Sequence, residues 1–475
     1  MRRKFIQDIS ANTLQVLINQ FFGLIIFYEL SLHFSKSDFG EINWSLAVLL
    51  AVFSILSLGI DQLIIRKIAA KENPELLLSS YFLHVLASGF FFYAFLLFTY
   101  YIFPGLYFNH YLLLFLGIGK LMIFFSSPFK QFANGTEKFR SLLFMSTCST
   151  VIRGTALILF AIFNALTLTS VIIIFISGDA SELLLSLFIA KKKFKVPLSV
   201  KWNKFFYMSL LKESIPQAGI VIFTSAIARF DWILLGILAS NMVLAEYSFA
   251  FRIFEVASLP LLIIAPLLIP RFTRLLHSPK KAGQVKVSDL IVLVKFEILI
   301  ASLISLMLGI LWIPVIDFIT EGKYGNSDHL TILILSASMP LIYFNNFLWT
   351  INFTAGRLKM IFYIFFFTFL VNVVVNIILI PFFGGAGAAV AYLLSIISQF
   401  AFFWIKTDLP ELKKRKYLFL FCPLAAFTSE SLSFLAFKNT IPVLLTSISM
   451  FFLLLFFARF LLKYEWLRFR TITGF

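Results

Sequence analysis

Five cations and six carboxylates fall deep inside long apolar runs of this sequence. They are Lys120, Arg153, Arg229, Arg252 and Lys295, and Asp61, Asp179, Glu182, Asp231, Glu255 and Glu297. An ionised side chain at bilayer depth costs about 2.5–3.5 kcal/mol on insertion scales, so each needs a partner, water or a task. A guanidinium offers a planar fork of donors that suits a phosphate group. Arg153, Arg229 and Arg252 are therefore the leading candidates for holding an anionic ligand, with Lys120 and Lys295 beside them. Asp179 and Glu182 lie three apart and share one helical face. Two carboxylates so placed compete to ionise, which suits a proton or Na⁺ site. Asp61, Asp231 and Glu255 complete the candidate ion-coupling set. Arg252 and Glu255 also share a face, whereas Arg229 and Asp231 point in different directions and each seeks a partner on another helix. For any one of these residues, an ion pair that only fixes packing explains it as well. As a set they point to a polar cavity.

The elements that position them follow from composition. The chain has 475 residues, 60% hydrophobic and 13% charged, with a mean hydropathy of +0.95. Soluble domains carry about 25% charged residues, and no soluble core could hide this much apolar surface. Runs of roughly twenty apolar residues recur throughout, each long enough to span a bilayer as a helix. The short alternating segments of a membrane β-barrel are absent. The spacing predicts about fourteen transmembrane helices, with limits near 12–33, 41–65, 77–103, 110–130, 142–163, 167–190, 214–239, 243–270, 288–318, 329–354, 360–382, 385–405, 417–437 and 440–462. The first run holds Asn19, Gln20 and Glu29 and no small-residue cleavage site follows it, so it is expected to be an uncleaved span.

The net charge is +17, which in a soluble protein would suggest nucleic acid. Here the positive charge alternates between loops. Loop two carries Arg66, Lys67 and Lys71, and loop four carries Lys130, Lys138 and Arg140. Loop six runs from Lys191 to Lys204, loop eight carries Arg271, Arg274, Lys280, Lys281 and Lys286, and loop twelve carries Lys413, Lys414, Arg415 and Lys416. The other side holds little beyond Lys36, Lys323 and Lys438. By the positive-inside rule both termini are expected to face the cytoplasm, and most of the charge is used for topology, which excludes nucleic acid as a partner.

The two halves resemble each other. Ser35 to Glu41 matches Ser240 to Glu246, Ile64-Ile65-Arg66 matches Ile269-Pro270-Arg271, and Phe132 to Lys138 matches Phe353 to Lys359. Each half has an even number of spans, so both enter from the same side and form parallel bundles related by an axis along the membrane normal. The expected architecture is an all-α integral membrane protein. Two pseudo-twofold six-helix bundles, 1–205 and 206–410, surround a central cleft, and 411–475 adds two transmembrane helices and a tail. Pro260, Pro266, Pro270, Pro314 and Pro340 fall inside spans eight to ten, as hinges or as packing devices.

No Walker A sequence, HExxH, CxxC or nucleophile elbow occurs. The two cysteines, Cys148 and Cys422, lie in apolar runs and form no ligand set. No loop is long enough for a catalytic domain, so the chain is not expected to be an enzyme.

The stretch Asn372-Val-Val-Val-Asn376-Ile-Ile-Leu-Ile-Pro381-Phe-Phe-Gly384-Gly385-Ala386-Gly387 resembles a signature of the polysaccharide-exporter branch of the MATE-like (MOP) flippase superfamily. So do Phe230-Asp231, Ala245-Glu246-Tyr247, Arg252-Ile253-Phe254-Glu255 and the Gly356-Arg357-Leu358-Lys359 turn. Within that branch the chain is most similar to Wzx-type O-antigen flippases. The resemblance implies translocation of an undecaprenyl-pyrophosphate-linked oligosaccharide across the inner membrane, with no cofactor beyond an H⁺ or Na⁺ gradient. It implies that the arginines grip the pyrophosphate, and that a polysaccharide polymerase and a chain-length regulator are partners. Many O-antigen flippases have twelve spans; the two extra ones are shared with lipid II flippases. A lipid II substrate and a MATE-type drug–cation antiporter are the other readings, the latter disfavoured by the arginines. Asn372 and Asn376 lie one turn apart and are expected to bond a neighbouring helix. Pro381 is expected to end span eleven, and the glycines to permit a tight turn.

Overall fold

The structure, a computed structural model, describes residues 2–70, 72–107, 110–194, 203–261, 287–407, 413, 417–458, 460 and 465. Pro266, Pro270 and the basic loop eight lie outside the described residues, as do Lys71, Lys414, Arg415 and Lys416. The described elements are all helical, and ten of them are long and apolar enough to cross a membrane. It is a multi-pass membrane protein. Large apolar side chains stand out from the helices, among them Phe91, Phe318, Phe382 and Phe456. In lipid such exposure is favourable, and the backbone is satisfied within each helix.

Backbone contacts divide the chain into two compact units, Met1–Gly236 and Ile237–Phe475. The first holds α1 (Arg2–His33), α2 (Lys36–Leu56), α3 (Ile60–Ala69), α4 (Pro74–Ile102), α5 (Leu112–Gly135), α6 (Phe139–Ile162), α7 (Leu168–Lys192) and most of α8 (Lys204–Leu238). Its helix starts are written in sequence. Ser35 accepts from the Asp38 amide, Asn73 caps α4 just before Pro74, and Thr167 forms a reciprocal capping box with Ser170. The apolar core gathers Ile60, Leu63, Leu77, Phe124, Phe129 and Met145.

Span two is not one rod. It breaks between α2 and α3, where Leu58 and Gly59 adopt φ of 48° and 68°. The break frees the Leu56 carbonyl, and His84 Nε2 donates to it at 2.8 Å. A carbonyl can only accept, so Nε2 carries a hydrogen, and Nδ1 bonds the Tyr207 hydroxyl, also at 2.8 Å. The matching span eight bends at a similar place, where α9 (Asn241–Ala257) gives way at Ser258, two residues before Pro260.

The second unit continues with α10 (Val287–Thr320), α11 (His329–Ala337), α12 (Met339–Thr354), α13 (Leu358–Lys406), α14 (Tyr417–Ala436) and α15 (Thr440–Phe457). Its core gathers Ile298, Leu306, Phe344, Phe347, Phe403 and Phe451. Span ten is split at Ser338 into α11 and α12, next to Pro340. As one straight rod, α13 would be about 73 Å long. Yet Arg357 at its start donates to the Lys406 carbonyl at its end, at 3.4 Å. The segment therefore folds back on itself and supplies spans eleven and twelve. The reversal is at Gly384 (φ 53°, ψ −128°), three residues beyond Pro381, which stays helical. Gly387 then packs so closely that a Cβ there would lie 2.6 Å from the Leu379 carbonyl oxygen. Asn372 and Asn376 bond each other at 3.0 Å, where a neighbouring helix was expected as their partner.

Candidate functional site

The first unit carries a polar cluster inside its membrane-spanning helices, built on α5, α6 and α7. Gly119 of α5 makes room for it, since a Cβ there would lie 2.7 Å from Asp179 Oδ2. Gly178 of α7 does the same for Arg153, whose Cγ would meet a Cβ at 2.7 Å. Arg153 Nη1 pairs with Asp179 Oδ1 at 3.3 Å. Its Nε donates to the Ser149 carbonyl, and its guanidinium lies 5.0 Å from the Phe175 ring centroid. Ser149 Oγ donates to the same Asp179 oxygen at 2.5 Å. Asp179 is 1% exposed, and its Oδ2 has no hydrogen-bond partner.

One turn further along α7, Glu182 accepts from Lys130 Nζ at 2.5 Å and from Ser126 Oγ at 3.4 Å. Asp179 and Glu182 thus share a face, as their spacing requires, but each has its own cation. Lys120 is different. It makes no hydrogen bond or ion pair with a described residue, and it lines a cavity of 280 Å³ with Asp61, Tyr81, Ser127 and Lys130. Tyr81 and Ser127 share a hydrogen bond of 3.3 Å across that cavity. Asp61 sits in the first turn of α3, where the helix dipole favours an anion. Its buried Oδ1 is unbonded. Three cations and three carboxylates therefore converge, and two pairs neutralise each other. Lys120 and Asp61 are left lining the cavity without an ion-pair partner among the described residues, Asp61 with hydrogen bonds from Gln62. An anion entering there would meet the Lys120 ammonium and two hydroxyls, and could compete with Glu182 for Lys130.

Of the residues singled out from sequence, the structure brings together Lys120, Arg153, Asp179, Glu182 and Asp61. Arg229 lies on α8 with its guanidinium 4.4 Å from the Trp232 ring centroid. Asp231 is fully buried and accepts from the Trp232 amide at 2.9 Å. In the second unit, Arg252 and Glu255 pair at 3.2 Å. Lys295 is committed elsewhere: it donates to both Glu465 oxygens at 2.8 and 2.9 Å and to the Phe460 carbonyl at 2.8 Å. Glu297 is 2% exposed with neither oxygen bonded.

Sequence reasoning missed Lys130, Tyr81 and the serines at 126, 127 and 149. Lys130 was assigned to basic loop four, at the end of a span expected over 110–130, whereas α5 continues to Gly135. No group of three or more His, Cys, Asp or Glu that could hold a metal occurs among the described residues.

Several solved structures share this fold. One is "Lipid II flippase MurJ, inward closed conformation", with a TM-score of 0.70 at 16% identity, covering 96% of this chain and 99% of that one. Another is an inward-facing multidrug resistance MATE family transporter of the MOP superfamily, with a TM-score of 0.68 at 13% identity, covering 86% and 99%. A third is a mutant of the Vibrio cholerae MATE transporter VcmN, with a TM-score of 0.56 at 15% identity, covering 85% and 95%. No curated protein sequence matches. The profile of the family described as "Polysaccharide biosynthesis protein" matches residues 5–276, more than half of the chain, and the chain belongs to that family.

Proposed function

We propose that this protein is a flippase for undecaprenyl-pyrophosphate-linked oligosaccharide repeat units. It works by ion-coupled alternating access in the cytoplasmic membrane, with both termini on the cytoplasmic side. The observation that carries the reading is the Lys120 cavity: an uncommitted ammonium in a polar pocket at bilayer depth, with Lys130 and Arg153 nearby and acidic groups to exchange with. A phosphate-bearing headgroup is matched by cations in a low-dielectric site, where each charge counts for more than in water. Membership in a polysaccharide biosynthesis family supports a glycan cargo.

Arg153, held by Asp179, and Lys130, held by Glu182, release to the pyrophosphate when a proton or Na⁺ takes their place on the carboxylates. That exchange couples substrate entry to an ion gradient. Lys120→Ala should reduce surface polysaccharide in a flippase-null strain by at least about tenfold, the value of one charge-assisted contact, with membrane levels of the protein unchanged. Full surface glycan from Lys120→Ala and Lys130→Ala together would remove the cavity from the mechanism.

A second reading, lipid II as cargo, is favoured by the whole-length likeness to a structure named as a lipid II flippase. It shares the pyrophosphate site. Complementation of a strain lacking its lipid II flippase separates the two.

A further inference from the structure

We propose that the second unit binds an aminophospholipid, held by Glu430 in a cavity between α10, α11 and α14. The cavity has a volume of 530 Å³, within the range of sites that take a whole small ligand. One wall is the α10 face bearing Ser302 and Ser305, and α11 contributes His329 and Ser336. The opposite wall is α14, where Leu420, Leu424, Phe427 and Phe434 give an apolar surface suited to acyl chain.

Glu430 projects from α14 into this space. It makes no hydrogen bond and no ion pair with any described residue, and neither does His329. The carboxylate fits only because α10 has Gly309 opposite it, where a Cβ would overlap Glu430 Oε1. A bare carboxylate at bilayer depth is costly and calls for a partner. Among the described residues, no Lys or Arg lines the cavity, so the partner is sought in a ligand.

Charge selects the occupant. A phosphate-linked glycan lipid carries net negative charge and would face Glu430 with nothing to neutralise it. A primary ammonium forms a charge-assisted hydrogen bond with the carboxylate. The phosphodiester beside it takes a hydrogen from His329 or from a serine hydroxyl. The α10 lining, Ser302 to Leu306, sits near the middle of that helix, and His329 enters from the start of α11. The assignment stands apart from the transport reading, since it uses none of the residues around Lys120.

Native mass spectrometry of the purified full-length chain tests it, with an equimolar mixture of phosphatidylethanolamine and phosphatidylglycerol as the probe. The wild type should retain phosphatidylethanolamine over phosphatidylglycerol by about tenfold. Glu430→Gln should abolish the preference, and Glu430→Lys should invert it. On the wild type alone, phosphatidylcholine, which has no N–H to donate, should bind more weakly than phosphatidylethanolamine. Equal retention of the two lipids by the wild type overturns the proposal, as does a preference that survives Glu430→Gln. Displacement of the bound lipid by a polyprenyl pyrophosphate would assign the cavity to that ligand instead and also overturn it.

Discussion

Arg153 and Asp179 are each nearly buried, and each is expensive without the other. Removing one partner of such a pair costs about 3–5 kcal/mol, because the remaining charge is stranded, whereas replacing both by apolar groups is often neutral. Arg153→Met should therefore lower the amount of folded protein in the membrane. Adding Asp179→Leu should restore it, as judged by thermal melting of the purified chain. Surface glycan should stay lost in the double variant if the pair serves transport; its return with the fold would make the pair a packing device. At the edge of the same unit, outside the spans, Lys67 bonds Glu72 and Glu213, both at 3.1 Å. Burial draws its ammonium down, but the hydrogen bonds and charges of Glu213 and Glu72 outweigh that and raise it above its ordinary value. A raised lysine contributes stability that is complete below the unfolded-chain value of about 10.4 and is lost as pH rises through the folded value. Wild type should thus lose melting temperature above about pH 10.4 more steeply than Lys67→Met, which has no such ammonium to lose.

Helix ends and breaks set where these residues lie. Gly384 has a backbone conformation open to glycine and closed to side chains. A Cβ there would also come within 3.1 Å of Val243. Gly384→Ala should cost about 1–3 kcal/mol, read as a fall in melting temperature, while Gly322→Ala, at φ 78° with open space around it, shows the strain without the contact. Much at this scale was legible from residue types. The Gly384–Gly387 run marks a reversal because nothing else tolerates the approach, whereas the helices capped by Ser35 and Asn73 begin before the expected span limits of 41 and 77. Other features were hidden for a physical reason. Apolar periodicity reports that a segment can cross a bilayer, and it is the same whether the rod is whole or broken at Leu58. The repair by His84 joins residues 28 positions apart, a lateral contact that no local pattern encodes. The same limit applies to the site. The cost of buried charge pointed to Lys120, Arg153, Asp179 and Glu182, but which cation serves which carboxylate depends on helix neighbours. Lys130 was lost because its role is set by α7, not by its own surroundings in sequence.

For the molecule as a whole, orientation is what would give the proposed transport through the Lys120 cavity its direction. The basic side chains cluster at alternate turns: Lys191 and Lys192 end α7, and Lys406 ends α13, while Lys323 and Lys438 stand almost alone on the turns between. Anionic lipid and the membrane potential hold such clusters on the cytoplasmic side. Orientation is sensitive to parity, since one missing span would reverse every turn that follows it. Single cysteines at Lys192, Lys323 and Lys438 put the argument to an experiment in intact cells with a membrane-impermeant maleimide. The positions at 323 and 438 should label from outside, and 192 should label only after the membrane is opened. The native Cys422 is fully buried and contributes little background; Cys148 is partly exposed and is replaced by Ala in the starting chain. Labelling at 323 without 438 would mean that α14 and α15 do not form the last two crossings. Labelling at 192 would invert the first unit, and with it the side from which the proposed cargo would reach the Lys120 cavity.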